Sequence, residues 1–266
     1  RRQRQMCIRD RNNIPGDETL LTDNQLFEAL DLNLPGLSEV KYNWARGNTA
    51  LAKKALVKYF EQRTQVTYFY DCRSLPLKRM EPDELPYAYQ SSLGPSGSLK
   101  DCIHGTGRSM MEHRYLLPGA RKSEDLGPSY ENMIHFNFLE DQGKRHRHSL
   151  DMFVRGQFFE ALSVLYHEEG DTQVIATFTE LVHKFFETYP LIVEDPSAGA
   201  NRFQYTEDRD AMSVGWLTIV LISLFYTRLP YETDIDTAFD LLKHIWFLGI
   251  QFKRFEEDGY RPYNHH

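Results

Sequence analysis

Apolar residues recur at steps of three and four over most of this chain, and that recurrence predicts helices. From Asp23 to about residue 65, Ala52, Ala55, Leu56, Tyr59 and Phe60 fall on one face, with Thr49 as the N-cap. "ARGN" at 45–48 is the turn in front of them, so "SEVKYNWARGNTALAKKALVKYF" reads as a helical hairpin. Helices resume at Leu150, where Phe153, Phe158, Ala161, Leu162, Leu165 and Tyr166 precede the turn "HEEGD". Val174, Ile175, Phe178, Leu181, Val182 and Phe185 form the next stripe, and the proline of "TYP" stops it. After the loop "EDPSAGANRFQYTEDRD" comes Ala211–Tyr226, apolar nearly all round, which predicts a helix buried on every face. The last stripe is Ala238, Leu241, Leu242, Ile245, Leu248, Phe252 and Phe255, with Gly259 as the C-terminal cap.

Residues 74–148 break this pattern. "LPLKRMEPDELPYAY", "SSLGPSGS" and "LPGARKSEDLGPSY" are rich in Pro, Gly and Ser, and the stretch predicts a long surface segment with little regular structure. No strand run stands out. The fold class expected is therefore all-α, with stacked helical pairs around one buried layer in a toroid or a solenoid.

Charge narrows the partners. The 266-residue chain carries −7, which argues against general affinity for nucleic acid. The first eleven residues, "RRQRQMCIRDR", hold five Arg and one Asp, so the rest of the chain stands at −11. They have no apolar stripe and no signal-peptide core, and "MCIRDR" is similar to translated sequencing-adapter sequence. Residues 1–20 are expected to be a disordered segment outside a domain spanning 21–266. No apolar run reaches the length of a membrane span. Cys72 and Cys102 fit neither a zinc motif nor a disulfide scaffold and read as free thiols; no metal site or cofactor is implied.

Several clusters carry possible chemistry. "GKRHRH" at 143–148 is the densest basic group, fit for a polyanion or for a solvated surface. His104 and His113 fall in the irregular region, and "HGTG" at 104–107 lacks the strand and Lys-Ser/Thr of a phosphate loop. Glu207, Asp208 and Asp210 crowd Arg209 in front of the 211–226 helix, either as a charge-paired helix start or as the surroundings of a substrate-facing arginine. The chain ends "DGYRPYNHH". An Asn amide with two donors beside a histidine suits recognition of a carboxylate, whereas adjacent histidines diverge too far for a two-His metal site.

These segments together resemble the heparinase II/III family of polysaccharide lyases. "LDLNLPGLSEVKYNWARGNTALAKKALVKYFEQR" is similar to the family's opening helices, "LSVLYHEEGDTQVIATFTELVHKFFETYP" to its later hairpin, and "DGYRPYNHH" to its Asn-His active-site loop. The resemblance implies an incomplete (α/α) toroid, with a C-terminal β-sandwich elsewhere in the same full-length chain. It implies β-elimination at a uronic acid of an acidic polysaccharide, in a bacterial periplasmic or secreted protein. Asn264 and His265 match the carboxylate-neutralising pair. His266, Tyr260, Tyr263, Arg261, Arg209 and Trp216 are the substrate-binding candidates. The family's catalytic tyrosine falls beyond residue 266, so this chain by itself is expected to be inactive. "RPYNHH" departs from the best-known lyases, which leaves open both the polysaccharide and whether the parent degrades it or belongs to a capsule or exopolysaccharide system. The rival readings are an α-toroid glycoside hydrolase using Asp208 and Asp210, and a helical-repeat interaction protein.

Overall fold

The computed structural model describes residues 21–63, 99–115, 124–133, 155–188, 191–193, 203–204 and 211–257. Helix α1 (Asp23–Ala29) opens on a reciprocal cap, in which Gln25 N donates to Thr22 Oγ1 at 3.3 Å and Thr22 N donates to Gln25 Oε1 at 2.8 Å. α2 (Ser38–Trp44) and α3 (Thr49–Gln62) form the expected hairpin, turning through Gly47 at φ 72°. Thr49 is not its N-cap: Asn48 holds that position without a side-chain bond, and Thr49 is already helical.

The irregular region contains more structure than its composition predicts. Leu99–Met111 is a helix, α4. It is followed by a two-residue antiparallel pair, β1 (Arg114–Tyr115) and β2 (Glu124–Asp125), and by a tight 3-10 segment at Pro128–Met133. Gly107 explains part of the misreading, because a glycine counts against a helix in sequence yet here serves packing. A Cβ at that position would stand 2.9 Å from Ala161 O and 3.2 Å from Leu165 Cβ. α4 thus lies directly on the backbone of α5.

α5 (Gln157–Glu169) begins behind Gly156, the expected start at Leu150 lying outside the described residues, and ends at Gly170, whose φ of 65° lets its N–H bond Tyr166 O at 2.8 Å. α6 (Thr172–Thr188) follows at once. A second antiparallel pair, β3 (Ile192–Val193) with β4 (Phe203–Gln204), precedes α7 (Ala211–Leu224), the short α8 (Leu229–Glu232) and the long α9 (Ile235–Glu257). Every strand among the described residues is two residues long.

Burial assembles these helices into a row. α4 packs on α5, α5 on α7, α7 on α9 and α9 on α3, while α6 packs on both α5 and α9. Phe158 and Phe159 of α5 meet Phe178 and Phe185 of α6 edge to face, at 5.3–5.8 Å between ring centroids for Phe159–Phe185 and Phe159–Phe178. Phe27 stacks between Trp44 and Phe239 and so ties α1 to α2 and α9. On α7, Leu217, Val220, Leu221 and Leu224 are fully buried, as their all-apolar helix predicts. The burial is not complete on every face: Ile219 is 44% exposed and Ile222 lines a groove. The helix stops at Leu224 rather than Tyr226, with Tyr231 OH donating to Phe225 O at 2.8 Å in the turn beyond.

Candidate functional site

The loop that the sequence nominates follows α9, so the anchoring of α9 comes first. Asp234 precedes the helix and caps it: Thr237 N donates to Asp234 Oδ1 at 2.9 Å and Thr237 Oγ1 donates to Asp234 Oδ2 at 2.6 Å. Burial acts to raise the Asp234 carboxyl, but these two bonds outweigh it and hold the group below its usual value. His183 Nε2 stands 3.0 Å from the same Thr237 hydroxyl. Asp, Thr and His have the composition of a hydrolytic triad but not its connectivity. The hydroxyl proton points to the aspartate, so the histidine donates to Thr237 and cannot activate it. Thr237 is also fully buried. This is a helix anchor.

A second anchor is ionic. Asp23 accepts from Lys53 Nζ at 2.6 Å and from Lys243 Nζ at 2.8 Å; Lys53 also reaches Asp236 at 2.8 Å and Lys243 reaches Asp240 at 3.0 Å. Burial pushes Asp23 up, but the two ammonium groups more than reverse this and its carboxyl lies below the ordinary value. Three carboxylates surround two cations, so this group fastens α1 and α3 to α9 and offers no spare positive charge to an anionic ligand.

A groove of about 300 Å³ opens between α1, α3, α7 and α9. Leu26, Phe60, Ile222, Phe225 and Trp246 line it, and among the described residues Arg63 is its sole charged one, lying 5.4 Å over the Phe60 ring. An almost wholly apolar wall is unsuited to a uronate carboxylate, which needs convergent donors. A third group gathers at the β1–β2 corner. His113, Ser129 and Tyr130 all have positive φ, between 55° and 69°. His113 packs edge-on against Tyr130 at 4.8 Å and stands 3.8 Å from Glu180, while Tyr130 OH donates to Met110 O at 2.8 Å. His113 is therefore half-buried rather than simply exposed.

Arg209, Tyr260, Arg261, Tyr263, Asn264, His265 and His266 lie outside the described residues, as do "GKRHRH", Cys72 and residues 1–20. Trp216 is placed in α7 by its backbone, and the side chains of Trp216 and of Cys102 in α4 are likewise outside. "HGTG" is part of helix α4 and not a phosphate loop. Among the described residues, no group of three His, Cys, Asp or Glu is placed to hold a metal ion, and no helix is long and apolar enough to cross a membrane. Reading by pattern missed two charged residues in the core, Arg155 and Glu160, which are 4% and 3% exposed. The available signal was Glu160 itself, a lone acid inside the apolar run "FFEAL".

The helix order and this arrangement have counterparts. A curated heparin-sulfate lyase of Bacteroides thetaiotaomicron is 26% identical over 237 residues, covering 80% of this chain and 30% of its own length. Among solved structures, a heparinase III with methylated lysines superposes with a TM-score of 0.59 at 14% identity, over 89% of this chain and 34% of its own. A heparan sulfate lyase, HepC, of Pedobacter heparinus gives 0.55 at 16% identity, over 86% of this chain and 31% of its own. The fold is thus the helical toroid type expected, and the chain spans about a third of the length of the proteins it matches. Residues 26–222 match the heparinase II/III N-terminus, and the chain belongs to that family.

Proposed function

We propose that the chain is the N-terminal toroid part of a polysaccharide lyase acting on a uronic-acid-containing acidic polysaccharide by β-elimination. The observation that carries this reading is the family match over residues 26–222, joined to the likeness to a heparin-sulfate lyase. Residues 21–266 form the toroid part, and a β-sandwich domain of the same full-length protein supplies the facing wall of the cleft. The parent is a periplasmic or secreted bacterial protein.

In the proposed reaction a base removes the C5 proton of the uronic acid. The electron pair of the C5–H bond becomes the C4=C5 double bond, the C4–O4 bond breaks, and O4 takes up a proton from an acid. The C5 proton is too weakly acidic to leave unless the carboxylate beside it is neutralised. Asn264 supplies amide donors and His265 a ring N–H to that carboxylate, whose charge grows in the transition state. Tyr260, Arg261, Tyr263, His266, Arg209 and Trp216 contact the sugar chain. Base and acid come from the rest of the parent, so this chain alone does not turn over. A hydrolase would need a carboxylate pair flanking the sugar; the described carboxylates around α9 are committed to caps and ion pairs.

The residue roles are tested in the full-length parent. Asn264→Ala should reduce kcat by about 10² or more, the scale for losing one preorganised donor, with an unchanged melting temperature. Undiminished turnover by that variant would remove Asn264 from the mechanism.

A further inference from the structure

The described lysine and arginine side chains divide into two groups. Lys53, Arg108, Lys184, Arg228 and Lys243 each meet a carboxylate, and Arg63, Arg114 and Arg155 are engaged as well. Among the described residues, Lys41, Arg46, Lys54 and Lys58 are the cations that no carboxylate meets, and all of them belong to the α2–α3 hairpin and its turn. Each is exposed. Lys41 Nζ donates to the neutral Asn33 Oδ1 at 2.7 Å, which leaves its charge uncancelled. Against these charges the hairpin sets the exposed acids Glu39 and Glu61, in a chain whose net charge is −7. Spare positive charge among the described residues is concentrated on one hairpin.

An aromatic ring accompanies the charge. Tyr42 of α2 is 55% exposed, and the Arg46 guanidinium lies 4.1 Å over its ring. That contact steadies the guanidinium without consuming its N–H donors, which suit a carboxylate or a sulfate. The exposed part of the ring offers an apolar face to the C–H edges of a sugar. Lys54 and Lys58 are one turn apart on α3 and so share a face. α2 and α3 pack on each other, which puts the ring, the guanidinium and the ammonium groups on the solvent side of a single hairpin. The hairpin is far from the loop after α9. Lys53, the neighbour of Lys54, pairs with Asp236 in the first turn of α9. From Asp236 to Glu257 at its other end, α9 rises by about 30 Å.

We propose that the exposed side of the α2–α3 hairpin, with Tyr42, Arg46, Lys54 and Lys58, is a second binding surface for an acidic polysaccharide, remote from the loop after α9. Arg46 and the two lysines take the carboxylate or sulfate groups of the strand, and Tyr42 carries a sugar ring. No bond of the polysaccharide is made or broken there. A strand long enough to reach both places is held at two points, so its second contact is intramolecular and strengthens the hold on long chains. The nature of the ligand rests on the lyase reading, whereas the surface itself is read from charge and exposure.

Equilibrium binding of heparin to the full-length parent and its variants, with duplex DNA as the comparison polyanion, tests it. Arg46→Ala, Lys54→Glu and Tyr42→Ala should each weaken heparin binding by about two- to fivefold, the scale of one exposed contact, with unchanged melting temperatures. The same losses should appear in an Asn264→Ala background, because the hairpin acts apart from the loop. Heparin binding that none of the three variants weakens overturns the proposal. Weakening by the two charge variants alone, with Tyr42→Ala silent and DNA bound as tightly as heparin, also overturns it, since that is attraction for any polyanion. Failure of the lyase reading shows separately, as the absence of an elimination product, and leaves these binding constants intact.

Discussion

Asp23 and Glu160 are both partly or wholly buried acids, and their surroundings drive them in opposite directions. Two ammonium groups hold Asp23 ionised, whereas burial raises the Glu160 carboxyl from an ordinary 4.5 to about 8. The distinction was not legible in sequence, because both partners of Asp23 are distant in the chain and the helices that bury Glu160 are brought to it by the fold. The proposed site residues differ again: "DGYRPYNHH" suggests chemistry by residue type alone, since an Asn amide beside histidines is a donor set. At this scale Asp23→Asn should destabilise the fold by about 1–2 kcal/mol at neutral pH, between the values for exposed and for buried pairs. The native Asp23 carboxyl titrates below its ordinary 3.8, so its stabilisation is present above that value and is lost as pH falls through the native one. Urea titrations should accordingly find the gap between wild type and Asp23→Asn closing in acid. A gap that persists unchanged there would mean that the ion pairs do not hold α1 to α9.

Elements were read well where the apolar spacing is regular, as in α3, α6 and α9, and badly where packing reverses a local preference. α4 is the instructive case. Gly105 and Gly107 both weaken its helical signal, yet they do different things. A Cβ at Gly105 meets nothing within 4 Å, while one at Gly107 meets the Ala161 carbonyl at 2.9 Å. Gly105→Ala should therefore stabilise the protein by about 0.5–1 kcal/mol through helix propensity alone. Gly107→Ala, in the same helix, should destabilise it by about 1–3 kcal/mol through overpacking against α5. Thermal unfolding of the two variants checks the pair, and equal effects would refute the close α4–α5 contact. α7 shows the converse limit: uniform apolarity correctly announced a central helix but could not say that Ile219 would be left exposed.

The whole molecule follows from these helices packing in a row, and the order of hairpins along the chain was sufficient to indicate it. What sequence could not supply is which walls of the row face a substrate. The described groove is apolar and the charges of the Asp23, Lys53 and Lys243 group are mutually paired, so the proposed function places the polysaccharide at the loop after α9 and at the remainder of the parent protein. That assignment depends on the reaction being an elimination. Incubating the full-length parent with uronic-acid-containing polysaccharides, while following near-ultraviolet absorbance, measures this directly. The account predicts that absorbance grows with each chain cleavage, because every cut leaves a C4=C5 double bond conjugated to a carboxylate. Cleavage that raises the count of reducing ends without any growth in absorbance would contradict it and identify a hydrolase.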